Sequence, residues 1–357
     1  MKKWLLGAVA VVALGAGAGW AFREPLALML YARGAEQALT SNNLDGLPDG
    51  LHAAFCGTGS PMPDPDRAGP CLAVIAGKRL LIVDAGEGAA RNLQLMGLPP
   101  GRVERVLLTH FHSDHIDGLG ALALQRWVGS SATAQLPLLG PVGVGQIAAG
   151  FNAVYQPDST YRVAHHGEAV VPPSGFGLSP RAFAVPETTA VISDDGGLKV
   201  TAIRVDHRPV APAVGYRFDY KGRCLTVSGD TVVSPVLMRA AEACDLLVHE
   251  ALQPRLTRVL GEAAKKAGNA PLAKVMADIE DYHTTPEQAA EVAQKAGAKM
   301  LVLTHIVPPL RLAGLEGAFL GDARKRFDGE IRIAQDRDLV SLPATGGIET
   351  SRLGGTR

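Results

Sequence analysis

The stretch THFHSDHIDG, at positions 109–118, places three histidines and two aspartates directly after the predominantly apolar segment VERVLL. His110 and His112 are one residue apart and can face one ion, while Asp114 and His115 turn toward a second position. Neutral imidazole and carboxylate are ligands that Zn²⁺ accepts. The stretch therefore predicts a metal-binding loop at the end of a buried strand, which restricts the chain to folds whose strand ends meet at one site.

Polar residues of the same kind end most of the other predicted strands. Short apolar, partly β-branched runs alternate with helical stretches along the chain, and this alternation predicts an α/β domain. In such sheets the loops at the carboxyl ends of strands converge on one crevice. The polar residues at these ends are Asp84, His110, His207, Asp230, His249 with Glu250, and His305. We expect most of them to form one site, with Asp84 either orienting a ligand histidine or lying outside it.

Composition excludes some classes of function. The chain of 357 residues has 35 basic and 35 acidic side chains, and 47% of its residues are hydrophobic. A sizeable core is therefore expected, and disorder is not. Because phosphate affinity depends on clustered cations, the zero net charge argues against a nucleic-acid partner and favours a small-molecule substrate.

The N-terminus consists of two lysines and an uncharged run from Trp4 to Phe22. About 20 apolar residues span a bilayer, whereas the apolar core of a cleaved signal peptide has about 7 to 15. The length favours an uncleaved signal anchor, and the small residues at 16–18 keep a cleaved signal as the alternative. Lysines beside a membrane segment stay on the cytoplasmic side. We therefore predict an anchor in the bacterial inner membrane with the main domain in the periplasm, or a secreted domain if the signal is cleaved.

Four segments are predicted. Residues 1–22 form the signal anchor or transmembrane helix, and residues 23–50 a juxtamembrane helix and linker. Residues 51–340 form the α/β domain, in which the Gly- and Pro-rich region 140–195 predicts loops and short strands. Residues 341–357 predict a disordered C-terminal tail.

The four cysteines lack the paired CxxC spacing of a thiolate zinc site. Cys56 and Cys71 flank one predicted turn and could meet in an exported domain. The pattern nevertheless favours buried free thiols at these positions and at Cys224 and Cys244.

The HxHxDH loop at 110–115 resembles the hallmark of the metallo-β-lactamase superfamily, and the likeness spans about residues 51–307. Within the superfamily, the chain is most similar to the branch of ribonuclease Z and arylsulfatase-like phosphodiesterases. Its matching stretches occur in family order: FCGTGSPMPDPDRAG, LIVDAGEGAARNL, LLGPVGVGQI, VDHRPVAPAVGYRF, VSGDT, LLVHEA and YHTTPEQAAEVAQKAGAKMLVLTH. The resemblance implies a four-layer αββα sandwich for the hydrolase domain, and it is compatible with a homodimer.

The resemblance also implies a dinuclear site, with two Zn²⁺ ions or with Mn²⁺ or Fe²⁺ in their place. The first ion would be bound by His110, His112 and His207. The second would be bound by Asp114, His115 and His305, and Asp230 would bridge the two.

Three residues receive catalytic roles from the same resemblance. A metal-bridging hydroxide would attack the substrate, and Asp114 would orient this nucleophile as well as binding metal. Glu250 and His283 match a pair that assists proton donation to the leaving oxygen. A carboxylate favours the protonated form of a neighbouring imidazole, so the pair suits a general acid.

Two departures distinguish the chain from ribonuclease Z proteins. Those enzymes carry a Gly- and Lys-rich arm between the third histidine and the bridging aspartate, and only RPVAPAVGYRFDYKGRCLTVSG separates His207 from Asp230 here. THIVPP around His305 is more similar to the arylsulfatase-like exported hydrolases.

We therefore expect a metal-dependent hydrolase of small phosphodiester or sulfate esters. Lactonase or β-lactamase activity is the alternative, and ribonuclease Z-type endonuclease activity is less favoured. A tethered metal-binding or sensor domain without turnover would lack part of the ligand or proton-donor set, and the sequence shows no such gap.

Overall fold

The computed structural model describes residues 20, 22–37, 39–40 and 42–354. The chain divides into two compact units, Met1–Asn42 and Asn43–Arg357. In the first unit residues 22–37 are helical (α1), with exposed apolar side chains such as Phe22 and Tyr31. The predicted anchor lies outside the described residues except for Trp20 and Phe22. Among the helices that are described, none is both long and apolar enough to cross a bilayer.

The second unit contains two mixed sheets. The first has eight strands in the order β15-β14-β1-β2-β3-β4-β5-β6. Its strands are β1 (Gly50–Gly57), β2 (Cys71–Ala76), β3 (Arg79–Val83), β4 (Val103–Leu107), β5 (Leu136–Pro141), β6 (Leu178–Phe183), β14 (Asp338–Pro343) and β15 (Glu349–Arg352). Strands β3 to β6 run parallel to one another, so the loops after β3 and β4 leave the sheet at the same edge.

The second sheet has seven strands in the order β13-β12-β11-β10-β9-β8-β7. Its strands are β7 (Thr189–Asp195), β8 (Leu198–Arg204), β9 (Val214–Tyr220), β10 (Arg223–Val227), β11 (Leu246–Leu252), β12 (Met300–Val307) and β13 (Glu330–Ile333). Strands β10 to β13 are parallel. β8 is antiparallel to β9, which is antiparallel to β10, so β8 ends at the same edge as β10, β11 and β12.

Ten further α-helices are described, and several of them pack on the outer faces of the two sheets. They are α2 (Asn43–Gly46), α3 (Ala89–Leu95), α4 (Ser113–Ile116), α5 (Leu119–Ser130), α6 (Val144–His166), α7 (Pro235–Ala240), α8 (Pro254–Lys266), α9 (Ala270–Asp278), α10 (Pro286–Ala296) and α11 (Leu315–Leu320). The predicted helix TPEQAAEVAQKAG is α10: Thr285 and Gln288 form a capping box, and Gly297 ends the helix at a positive φ.

The core has three layers of apolar contact. Successive residues of β1 alternate between them: Leu51 and Ala53 face the second sheet, and Ala54 and Cys56 face the helices on the other side. A third cluster joins the outer face of the second sheet to α10 and α11. The layers therefore run helix, sheet, sheet, helix, as the αββα prediction requires for residues 43–354.

Two local expectations were wrong. The region 140–195 contains α6, a long helix, besides β6 and β7. Pro157 inside this helix and its mostly solvent-facing residues explain why the sequence reads as loop. The tail is also ordered through residue 354: Ser341–Pro343 complete β14, and β15 pairs with it from Glu349 to Arg352.

The expectation of free thiols was wrong as well. Cys56 pairs with Cys71, joining the end of β1 to the start of β2, and Cys224 pairs with Cys244. No free cysteine is left. The β1–β2 register brings the first two cysteines together, which spacing alone did not establish.

Candidate metal centre

The loop after β4 and the short helix α4 carry four of the predicted ligands. His110 and His112 precede α4, and Asp114 and His115 lie within this single-turn helix. Three of the four are buried, and His112 is half-buried. Asp84 stabilises the start of the loop. Its carboxylate accepts hydrogen bonds from the backbone N–H and the Oγ1 hydroxyl of Thr109 at 2.8 and 2.7 Å.

His305 reaches the same point from the second sheet through an irregularity in β12. Glu250 pairs with Thr304 and Ala251 with Ile306, so His305 is the extra residue of a β-bulge. Its φ is 49°, in the left-handed region where non-glycine residues are uncommon. Bulges often redirect a side chain beside a functional site, and this one turns His305 toward Asp114 and Asp230.

Asp230, which follows β10, lies at the middle of the histidines. Its Oδ2 atom is 3.3 Å from Nε2 of His305, 3.4 Å from Nε2 of His115, and 3.8 Å from Nε2 of both His110 and His207. These distances are long for hydrogen bonds. Two ligands of one tetrahedral zinc ion, each about 2.1 Å from it, lie about 3.4 Å apart. The spacing therefore fits shared metal ligation.

The donor atoms form clusters within 4.8 Å of one another. One contains His110, His112, His207 and Asp230; another contains Asp114, His115 and His305; and a third joins Asp230, His283 and His305. The first two coincide with the two predicted ligand sets, and Asp230 lies within reach of both.

Hydrogen bonding supports a metal at this position. Nε2 of His110 and Nε2 of His115 are buried, and among the described residues neither has a hydrogen-bond partner. Buried polar atoms are rarely left unpaired, because desolvation without a partner costs about 1–3 kcal/mol. The residues present therefore fit divalent cations as the missing partner.

Electrostatics points the same way. Burial and the neighbouring histidines hold the pKa of His110 well below its usual value, so this imidazole is neutral and able to ligate. Burial opposes a charge on His115, yet the carboxylates of Asp230, Asp84 and Asp114 raise its pKa well above the usual value. The centre thus attracts positive charge, as a proton or as a metal ion.

Glu250 and His283 form a pair beside the ligands. Nδ1 of His283 lies 3.3 Å from Oε1 of Glu250. The same carboxylate oxygen accepts a hydrogen bond from the backbone N–H of Thr284 at 2.8 Å, which fixes its position. Burial lowers the pKa of His283, but Glu250 outweighs it and the pKa is raised. The pair can therefore hold a proton near neutral pH.

All nine predicted site residues meet in this centre. The individual roles given to the nine remain predictions.

Two features of the centre were not predicted from the sequence. One is the residue that holds His207 in place: Nδ1 of His207 lies 2.9 Å from the carbonyl oxygen of Tyr282. The other is the set of apolar side chains that α9 and the turn after it contribute to the site. The helical stretch between Glu250 and His283 contains no chemical motif, so nothing in the sequence indicated this contribution.

A cavity beside the centre has two kinds of lining. Its polar lining consists of His112, Asp114, Asp230, His283 and His305. The remaining lining is apolar apart from Tyr282 and contains Pro61, Met62, Val275, Met276, Ile279 and Val307.

Comparison with known proteins gives consistent results. The family described as Beta-lactamase superfamily domain matches residues 79–306. Ribonuclease Z of Mycobacterium avium (strain 104) is 34% identical over 297 residues, covering 82% of this chain and 99% of that protein. Ribonuclease Z of Mycolicibacterium gilvum (strain PYR-GCK) is 36% identical over 300 residues, covering 82% and 96%.

Solved structures share the fold. Human tRNase Z, short form, superposes with a TM-score of 0.59 at 24% identity, covering 82% of this chain and 99% of that one. The metallo-beta-lactamase fold protein YhfI from Bacillus subtilis has a TM-score of 0.58 at 20% identity, covering 85% and 100%.

Proposed function

Since the chain belongs to the metallo-β-lactamase superfamily, as a hydrolase near the ribonuclease Z branch, we propose that it hydrolyses small phosphodiesters or sulfate esters with two bound metal ions. The observation that carries the proposal is the position of the Glu250–His283 pair directly beside two clusters of metal-binding side chains. Such an arrangement combines a site for the reacting ester with a proton donor for its leaving oxygen.

In this proposal His110, His112 and His207 would hold one ion, and Asp114, His115 and His305 would hold the other, with Asp230 within reach of both sets. Divalent ions bound there would supply a nucleophile near neutral pH and neutralise charge that develops on the ester oxygens. Zinc is the preferred ion, and Mn²⁺ or Fe²⁺ would suit the same donors.

The protein's own groups perform the remaining tasks. Nδ1 of His283 faces Glu250, so Nε2, on the other side of the ring, is the atom that gives a proton to the leaving oxygen. The carboxylate of Glu250 keeps this imidazole protonated and oriented. The carboxylate is itself fixed, because its Oε1 accepts a hydrogen bond from the N–H of Thr284. Asp114, besides its place in the second ligand set, would accept a hydrogen bond from the attacking nucleophile and so orient it.

The charges around the centre favour a small ester over RNA. Among the described residues lining the metal-side cavity there is no lysine or arginine. Arg67 and Arg311 line the neighbouring groove, but Arg67 is buried against Thr58 and the Ala334 carbonyl, and Arg311 donates to the Pro63 carbonyl. Tight binding of a nucleic acid requires several unpaired cationic side chains next to its phosphates, and this face of the protein has few of them.

Endonuclease activity on transfer RNA is the second candidate, because the relatives at 34% and 36% identity are named ribonuclease Z. Against it stands the short connection from His207 to Asp230, which forms only a loop and the β9–β10 hairpin. This connection leaves no arm with which to hold RNA.

One experiment separates the candidates. Metal content is measured by plasma mass spectrometry on the chain from Asn43, together with turnover of bis(p-nitrophenyl) phosphate, p-nitrophenyl sulfate and a 3′-extended precursor transfer RNA. Asp230→Ala is the test variant, and Asp322→Ala, an exposed aspartate paired with Lys325, is the matched control.

We expect about two metals per chain and ester turnover that is lost in Asp230→Ala and kept in Asp322→Ala. Efficient cleavage of the precursor with weak ester turnover would favour the endonuclease instead. Absence of bound metal in the wild-type protein would refute both.

We also propose that the domain is exported, with the N-terminal segment as its anchor or signal. The two disulfides support this location, because such bonds persist mainly outside the reducing cytosol. Cell fractionation with thiol labelling tests it: labelling of the native protein without prior reduction, or recovery in the cytosolic fraction, would contradict export.

A further inference from the structure

We infer that the apolar wall formed by Val275, Met276 and Ile279 binds the leaving group of the substrate, and that this group is an uncharged aryl or branched alkyl alcohol. The inference rests on the proposed ester hydrolysis and adds the part of the chain that selects the substrate. We call these three residues the leaving-group wall.

The leaving-group wall lines the same cavity as the metal-binding side chains of His112, Asp114, Asp230 and His305. Val275 is 49% exposed although Met276, next to it, is only 3% exposed. An exposed valine at the mouth of a polar centre contributes little to folding. Apolar surface in such a cavity gains free energy when a ligand covers it.

The wall is held in place by α8. A Cβ atom added to Gly261 of α8 would lie 3.4 Å from Cβ of Met276, so the two helices approach closely at this point. Thr257 donates a hydrogen bond of 2.9 Å to Glu280, and Arg258 pairs with the same carboxylate at 2.7 Å. A wall fixed by packing at Met276 and by the hydrogen bonds to Glu280 that follow it can discriminate between leaving groups.

The position of His283 sets the direction of the substrate. His283 lines the same cavity as the leaving-group wall, so an ester oxygen that receives its proton carries its substituent into that cavity. A second approach, the groove of residues 60–69, is lined by charged side chains of both signs: Asp64, Arg67, Glu87, Asp117 and Arg311. The apolar substituent therefore belongs on the α9 side and not in the groove.

Charge further restricts the leaving group. Outside the metal-binding and proton-donor side chains, the described lining of the cavity contains no ionisable residue except Tyr282. A phosphorylated or otherwise ionic leaving group would lose its hydration there without gaining a partner. An uncharged ring or branched chain meets no such penalty.

The test compares two esters that differ only in apolar size: methyl 2-naphthyl phosphate and methyl phenyl phosphate, whose leaving phenols have similar acidity. The variants are Val275→Asn and Ile279→Asn. Leu272→Asn is the matched control, because Leu272 is also an exposed apolar residue of α9, at 41% exposure, but does not line the cavity.

A binding measurement accompanies turnover. Calorimetry with the metal-loaded protein compares a non-hydrolysable 2-naphthylmethylphosphonate with methylphosphonate, so the wall is tested without any reaction. Thermal melting and metal content show whether each variant is folded and loaded. Should Ile279→Asn fail to fold, the exposed Val275→Asn carries the comparison.

We expect kcat/KM to be about tenfold higher for the naphthyl ester than for the phenyl ester in the wild type. This preference, and the matching preference among the phosphonates, should fall to near unity in Val275→Asn and persist in Leu272→Asn. Equal preference in all variants, or equal loss in Leu272→Asn, overturns the inference while leaving ester hydrolysis intact.

Absence of turnover of either ester in the loaded wild type would instead refute the proposed function. In that case the phosphonates decide alone: a naphthyl preference that depends on Val275 upholds the apolar site, and its absence overturns it.

Discussion

Oδ2 of Asp84 lies 2.8 Å from Nδ1 of His115. Asp84 follows β3 with φ at 55°, a backbone conformation that most residues avoid. A carboxylate accepts the hydrogen of Nδ1, so the lone pair of His115 is on Nε2, the atom that faces Asp230 and Asp114. Asp84 thus selects the tautomer that can bind metal.

Replacing Asp84 should weaken metal binding without removing a ligand. We expect Asp84→Ala to reduce affinity about 10–100-fold, the usual effect of losing a partner that orients a ligand histidine. Competition with a chromophoric chelator measures this affinity, and Asp322→Ala serves as the surface control. Unchanged affinity in Asp84→Ala would show that His115 keeps its orientation without the carboxylate.

The Glu250–His283 pair should matter most for poor leaving groups. His283→Gln and Glu250→Gln are each expected to lower kcat by about 10²–10⁴-fold for an alkyl ester, because its oxygen must be protonated as it departs. A p-nitrophenyl ester, whose leaving group is stable as an anion, should be affected much less. Steady-state kinetics across leaving groups measures the difference.

Metal content must stay constant for this result to be interpretable, so it is determined for each variant. Glu262→Gln, an exposed residue paired with Lys265, is the control. An equal loss for both kinds of ester would argue that the pair maintains the metal centre and does not donate the proton.

Removal of metal should destabilise the domain. The buried donors of the centre would then face one another unpaired, and a ligand present at a thousandfold its Kd stabilises the folded state by about 4 kcal/mol. We expect a chelator to lower the Tm by several degrees in the wild type and to have little effect on Asp230→Ala. Calorimetric melting with and without chelator measures this, and equal shifts in both proteins would contradict it.

The stability of the domain should fall in acid partly through Asp245. Burial raises the pKa of this carboxyl, but Lys299, the N–H of Cys224 and Arg223 outweigh that effect and lower it below 3.8. A lowered folded-state pKa gives stability that is present above pH 3.8 and lost as pH falls through the folded-state value.

Asp245→Asn should therefore cost about 1–3 kcal/mol at neutral pH, with the difference from wild type shrinking below pH 3.8. Urea unfolding of the metal-free proteins at several pH values measures it. A difference that does not depend on pH would assign the loss to packing and not to charge.

The disulfide between Cys56 and Cys71 should contribute measurably to stability. It links residues 15 apart in sequence, and a loop of that length is worth about 3 kcal/mol in the chain-entropy account. Cys71→Ala is expected to lower the free energy of unfolding by about that amount under oxidising conditions. Under reducing conditions the variant and the wild type should converge, and a difference that persists there would point to lost packing.

The metal-binding loop, the alternation of strands and helices outside residues 140–195 and the tail, and the helix α10 were predictable from local sequence. HxHxDH after an apolar strand, polar residues at strand ends, and a capping box before α10 are signals within a few residues of one another. Because parallel strands end at one edge, these local signals also predicted that Asp230, Glu250 and His305 would approach the loop.

The remaining features arise only when distant segments meet. The partnership of Asp84 with His115, the bulge at His305 and the pairing of the cysteines depend on strand register. α6 and β15 are stabilised by neighbours that local sequence does not reveal. The apolar side chains of α9 acquire their place in the cavity beside the metal centre through packing against α8, because an apolar helix residue has no chemical signature until the fold determines what it faces.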